Sequence, residues 1–95
     1  MTVEFHPAAL QEVENAQAWY EERSALAASA FLRELSIAVQ RIRQAPHRYP
    51  AAEAGTRRIL LDRFPFTFYY RIKADTLNIV AVAHQKRRPG YWSTR

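Results

Sequence analysis

Hydrophobic and polar positions follow two different periods along this chain, and the switch between them comes near its middle. Thr2 to Phe5 alternates, with Val3 and Phe5 on one face, which predicts a short first strand. Pro7 suits the first position of a helix, where a backbone N–H would lack a partner anyway. Leu10, Val13, Ala16 or Gln17, and Tyr20 then recur at helical spacing and predict a buried face. Glu12, Glu14, Glu21 and Glu22 fall mostly elsewhere, as on a solvated face. Ser24 is the expected N-cap of a second helix, whose apolar stripe is Phe31, Leu35, Ala38 and Ile42, flanked by Leu32 and Val39. Arg41 and Arg43 complement the dipole at its end, and Pro46 stops it. Pro46 to Thr56 is expected to be a loop.

Beyond that loop the period is two. Arg58 to Leu61 predicts one strand. In the next, Phe66, Phe68, Tyr70 and Ile72 alternate with Thr67, Tyr69, Arg71 and Lys73. In the last, Thr76 to His84, strict alternation puts Leu77, Ile79, Ala81 and Ala83 on one face and Asn78, Val80, Val82 and His84 on the other. Apolar residues on both faces predict a central strand. Ala74-Asp75 makes a tight connection, although it is not a preferred hairpin dipeptide. The expected architecture is α+β: a short N-terminal strand, then a two-helix hairpin packed on one face of a mostly antiparallel sheet completed by three C-terminal strands.

Length and composition narrow this without redirecting it. Ninety-five residues make one domain, 1–95, with a modest core. No cysteine is present, so neither a disulfide frame nor a cysteine-containing zinc site is available. Three histidines without an i, i+4 pair offer no convincing metal site, and no cofactor is expected. Met1 to Phe5 lacks the basic start and apolar stretch of a signal peptide, and no apolar run is long enough for a membrane span. The expected location is cytoplasmic.

The distribution of charge is more informative. From Met1 to Ala45 six acids face four bases; from Pro46 to Arg95 three acids face ten bases. A basic half suits nucleic acid or an acidic protein partner, set against cations that merely solubilise exposed strands and a loose tail. The last predicted strand runs into His84-Gln85-Lys86-Arg87-Arg88-Pro89-Gly90-Tyr91-Trp92, which brings charge, an imidazole, a phenol and an indole to one place.

The order of elements resembles the RelE/ParE superfamily of bacterial toxins. So do Phe5-His6-Pro7, Ala18-Trp19-Tyr20, Pro46-His47-Arg48-Tyr49-Pro50, Arg57-Arg58-Ile59-Leu60-Leu61, Phe64-Pro65-Phe66, Tyr69-Tyr70-Arg71 and the closing His84–Trp92 segment. The resemblance covers nearly the whole chain. It implies the toxin of a type II toxin–antitoxin system, neutralised by a cognate antitoxin that wraps around it as a hetero-oligomer. It leaves two mechanisms open, because some members cut mRNA on the ribosome and others inhibit DNA gyrase without chemistry.

Metal-free RNA cleavage needs a base for the 2′-OH, cations for the phosphorane and an acid for the leaving oxygen. His84, Arg87, Arg88 and Tyr91 are the candidates for those tasks. Arg57, Arg58, Arg63, Lys86, Arg87, Arg88, Tyr91 and Trp92 are the candidates for binding a partner or nucleic acid, with Tyr91 or Trp92 stacking on a base. Compared with the ribosome-dependent nucleases, Thr67 stands nearest to a strand arginine and Leu60 to a strand lysine, and both departures weigh against cleavage. Inhibition of gyrase asks only for a binding surface, which arginine, tyrosine and tryptophan supply.

Each highlighted residue also has a plainer role. His84 fits a hydrogen-bonded strand end, and Tyr91 and Trp92 fit side chains folded back over the sheet. Arg58 and Arg63 fit ordinary sheet-surface charges. Trp19 and Tyr20 fit helix packing, and His6 fits a helix cap.

Overall fold

The computed structural model describes residues 1–95. The elements are β1 (Thr2–Phe5), α1 (Pro7–Arg23), α2 (Ala25–Gln44), a single 3-10 turn at Glu53–Gly55, β2 (Arg57–Leu60), β3 (Phe66–Lys73) and β4 (Thr76–His84). One four-stranded sheet has the order β1-β4-β3-β2. β1 runs parallel to β4, and the other two pairings are antiparallel. β4 is therefore central, as its two apolar faces suggest.

Local chemistry sets the helix ends. His6 caps α1, its Nδ1 accepting from the Ala8 N–H at 3.0 Å. Ser24 serves both helices: its N–H donates to the Tyr20 carbonyl at 2.7 Å, and its Oγ accepts from the Ala27 N–H at 3.2 Å. The hairpin between the helices is thus one residue long.

The helices cover one face of the sheet. α2 buries Phe31, Leu35, Ala38 and Ile42, the stripe expected of it. α1 buries Ala9, Val13 and Ala16, and the expectation for Leu10 is corrected, since that side chain is 47% exposed. Small residues at Ala9 and Ala16 let the α1 backbone lie close to the sheet, and that choice of face turns Leu10 outward. Ile59, Leu61, Phe66, Phe68, Tyr70, Leu77, Ile79 and Val82 complete the main core from the sheet side.

β4 departs from strict alternation. Tyr70 is paired with Ile79 but Tyr69 with Ala81, so Val80 is an extra residue in a β-bulge. The bulge reverses the facing of all that follows. Val82 joins the helix-covered core with Leu77 and Ile79, whereas Val80, Ala81 and Ala83 form a second cluster with Trp92. The expected grouping of Ala81 and Ala83 with Leu77 and Ile79 is corrected accordingly.

That second cluster lies on the face away from the helices, and the C-terminal segment covers it. Trp92 is 1% exposed and stacks on Tyr69 with ring centroids 4.2 Å apart. The segment is tied down along its length. Arg71 donates to the carbonyls of Arg95 at 3.0 Å and Ser93 at 3.4 Å. Gly90 has a φ of +75°, so the turn into Tyr91 favours glycine.

Candidate functional site

β1 ends at Phe5, opposite Ile79, so the outer edge of β4 runs on without a strand beside it. A carboxylate from α1 takes the place of that strand. Glu12 Oε1 accepts from the Val82 N–H at 3.0 Å and from Arg95 Nη1 at 3.0 Å. Its Oε2 accepts from the Tyr91 hydroxyl and from Arg95 Nη2 at 3.2 Å. Arg95 also donates to the Val80 carbonyl at 3.2 Å. The bulged stretch of β4 is thereby sealed, and the tail is fixed to α1. Only 14% of the Glu12 side chain and 18% of the Arg95 side chain are exposed, so the pair is screened from water.

The charge pattern along α1 predicts a solvated Glu12, and the structure corrects that expectation. A signal was present: Ala9, Glu12, Val13 and Ala16 stand at i, i+3, i+4 and i+7, which places the carboxylate beside the buried stripe. Glu34 was missed for the same reason. It lies among Phe31, Leu35 and Ala38, is 7% exposed, and accepts from the Arg63 N–H at 2.8 Å and Nε at 3.2 Å.

The residues expected to form the site fall into three groups. His84, Arg87 and Tyr91 come together at the end of β4. The His84 ring meets Phe66 edge to face at 5.2 Å, and its Nδ1 accepts from the Lys86 N–H at 3.1 Å. Arg87 lies over the Tyr91 ring, 3.7 Å from guanidinium carbon to centroid. Lys86 and Arg88 stand beside them, exposed. No carboxylate forms an ion pair with Lys86, Arg87 or Arg88.

A second group is placed elsewhere. Arg57 lies at the far end of β2, opposite Tyr70, and donates to the carbonyls of His47 at 3.2 Å and Tyr49 at 2.7 Å. It organises the Pro46–Thr56 loop. Arg58 is exposed on β2, opposite Tyr69 and therefore on the sheet face away from the helices. Arg63 is committed to Glu34. The third group is Trp92 alone. Its indole fills the second core, so of the two roles open to it, folding back over the sheet is the one observed and a surface contact is not.

Protonation follows from this packing. Burial, the hydrogen bond to Glu12 and the charge of that carboxylate push the Tyr91 phenol far above its ordinary value, against the opposing effect of Arg87 and Arg95. Such a phenol neither gives up its proton readily nor serves as a base near neutrality. Tyr70, buried and donating to the Pro46 carbonyl at 2.7 Å, is pushed up to about 12, chiefly by desolvation.

Between α1 and the ends of β3 and β4 runs a groove of about 430 Å³. Glu12, Asn15, Ala16, Trp19 and Tyr20 form one wall; Pro65, Phe66, Val82 and His84 form the other; Arg87 and Tyr91 close it. Trp19 is 53% exposed at the rim, with Arg23 stacked on its ring at 3.6 Å. The whole arrangement combines an apolar slot, free cations and an immobilised phenol.

Comparison with known proteins bears on the whole chain. A search of curated protein sequences finds no match. Among solved structures, the fold is similar to a chain of the chromosomal ParDE TA system from P. aeruginosa. The TM-score is 0.76 at 18% identity, covering 88% of this chain and 95% of that one. The model of the family described as "ParE toxin of type II toxin-antitoxin system, parDE" matches residues 3–89. With its strand, helix hairpin and three further strands spanned by that match, this chain belongs to the ParE toxin family within the RelE/ParE superfamily.

Proposed function

We propose that this chain poisons DNA gyrase by binding it, without chemistry of its own, and that a cognate antitoxin neutralises it. The observation that carries the reading is the state of Tyr91. Its hydroxyl donates to a carboxylate shared with Arg95, and its pKa is raised, so it is poorly suited to move a proton to or from RNA. Thr67 supports the same reading. It is 5% exposed and neutral at the strand position where a ribonuclease of this superfamily would present a cation to the scissile phosphate.

What remains free at the end of β4 is suited to recognition. Lys86, Arg87 and Arg88 project without internal ion pairs, and Trp19 is available at the rim of the groove. Arginine and aromatic side chains of this kind dominate binding energy at protein interfaces. One observation favours the runner-up: His84 and Arg87 line the same groove, where an imidazole and a guanidinium could meet an RNA phosphate.

Purified protein distinguishes the two readings. The expected result is inhibition of plasmid supercoiling by gyrase, with mRNA on translating ribosomes left intact. Codon-spaced cleavage of that mRNA, with supercoiling unaffected, would establish the ribosome-dependent endonuclease instead. If cleavage were found, His84, Arg87, Arg88 and Tyr91 would be its active-site residues to test.

A further inference from the structure

The groove between α1 and the end of β4 has a floor and a rim of different character. Ala16, Phe66 and Val82 form an apolar floor, each less than a tenth exposed. The rim carries an exposed indole, Trp19, on one side and the guanidinium of Arg87 on the other. Glu12 is the one carboxylate in the lining, and it is consumed by Val82, Tyr91 and Arg95. Arg23, above Trp19, lies 3.8 Å from Glu22 and is partly offset. The uncompensated charge at the groove mouth is therefore positive, from Arg87 with Lys86 and Arg88 beside it.

We propose that this groove is a docking slot for a protein segment that inserts one bulky apolar or aromatic side chain and places an adjacent Asp or Glu on Arg87. The volume, about 430 Å³, suits one or two large side chains. An apolar floor below a single guanidinium matches an anchor residue with a neighbouring carboxylate, the arrangement of a desolvated hot spot with a charged edge. Because Arg87 and Tyr91 belong both to the groove and to the basic cluster, an occupant of the slot also immobilises that cluster. The inference rests on the reading that an antitoxin holds this chain, and it assigns to that partner an acidic segment carrying an aromatic or large aliphatic anchor.

The test uses the full chain, 15N-labelled, and three eight-residue Gly/Ser peptides whose central pair is Trp-Asp, Trp-Lys or Ala-Asp. The Trp-Asp peptide is expected to shift the Trp19 indole and the amides of His84 and Arg87, and to leave unmoved Ile37 of α2 and Leu60 of β2, two exposed apolar residues outside the groove. The other two peptides should bind at least tenfold more weakly. In Arg87→Glu, with an otherwise unchanged amide spectrum, the preference should reverse towards Trp-Lys. Equal binding of Trp-Asp and Trp-Lys, or shifts centred on Ile37 and Leu60, would overturn the proposal. So would saturable shifts with adenosine or uridine monophosphate and none with the peptides, which would assign the slot to a nucleotide. A chain that binds Trp-Asp as described yet leaves cell growth untouched supports the slot and contradicts the toxin reading. A growth-inhibiting chain whose groove ignores all three peptides overturns the slot alone.

Discussion

One carboxylate on α1, that of Glu12, satisfies a backbone donor of β4, a phenol and a guanidinium. Replacing it by glutamine removes the charge and adds donors where only acceptors fit. Glu12→Gln is expected to cost about 1–3 kcal/mol of stability. It should also loosen the tail, so that Trp92 emission shifts to the red in a Trp19→Phe background. Unchanged melting temperature and unchanged emission would show that the latch contributes nothing. Tyr70 offers a pH test with a defined sign. Its folded-state pKa of about 12 lies above the ordinary 10, so the folded chain keeps its proton more tightly than the unfolded one. The stabilisation is fully present below pH 10 and is lost as pH rises towards 12. Thermal denaturation across that window should show a steeper loss of stability in the parent chain than in Tyr70→Phe. The buried carboxylates themselves were hard to foresee, because Glu12 and Glu34 have the composition of a solvated face and reveal their role only through helical position. Their partners, Tyr91, Arg95 and Arg63, are distant in sequence, and no local pattern links them.

At the level of elements, both helices and all four strands could be read from apolar spacing, helped at the helix ends by Pro7, Ser24 and Pro46. Ser24 illustrates the gain from cap chemistry. Ser24→Ala should lower stability by about 1 kcal/mol, measurable in urea denaturation, while Ser24→Asp should retain most of it. Ala74 holds a φ of +53° in the β3–β4 turn, a conformation that disfavours a side chain. Ala74→Gly should therefore stabilise the hairpin by about 0.5 kcal/mol, and a loss of stability in the same titration would contradict that account. The bulge at Val80 escaped the pattern for a physical reason. A strand apolar on both faces offers no polar marker when its register slips by one residue. The consequence was large, since the slip moves Ala81 and Ala83 to the second face and provides the surface on which Trp92 packs.

Across the whole molecule, seven of the ten bases of the C-terminal half divide between two uses. Arg57, Arg63, Arg71 and Arg95 are spent on internal carbonyls and carboxylates, whereas Lys86, Arg87 and Arg88 remain at the end of β4 without an ion pair. The charge asymmetry was visible in the sequence; which arginines were structural was not, because that depends on where distant carbonyls lie. Arg87→Ala together with Arg88→Ala should leave the melting temperature nearly unchanged, as these side chains lie outside the core. The pair of substitutions should weaken growth inhibition or antitoxin binding by tenfold or more. A double variant with full toxicity and full antitoxin affinity would show that the working surface lies elsewhere. Controlled expression in cells, with protein synthesis, mRNA integrity and DNA state followed together, decides whether the toxin acts by binding gyrase without chemistry. Filamentation and a DNA damage response with intact mRNA are expected of a gyrase poison; rapid loss of protein synthesis, with mRNA cut at codon positions and no DNA damage response, would rule that mechanism out.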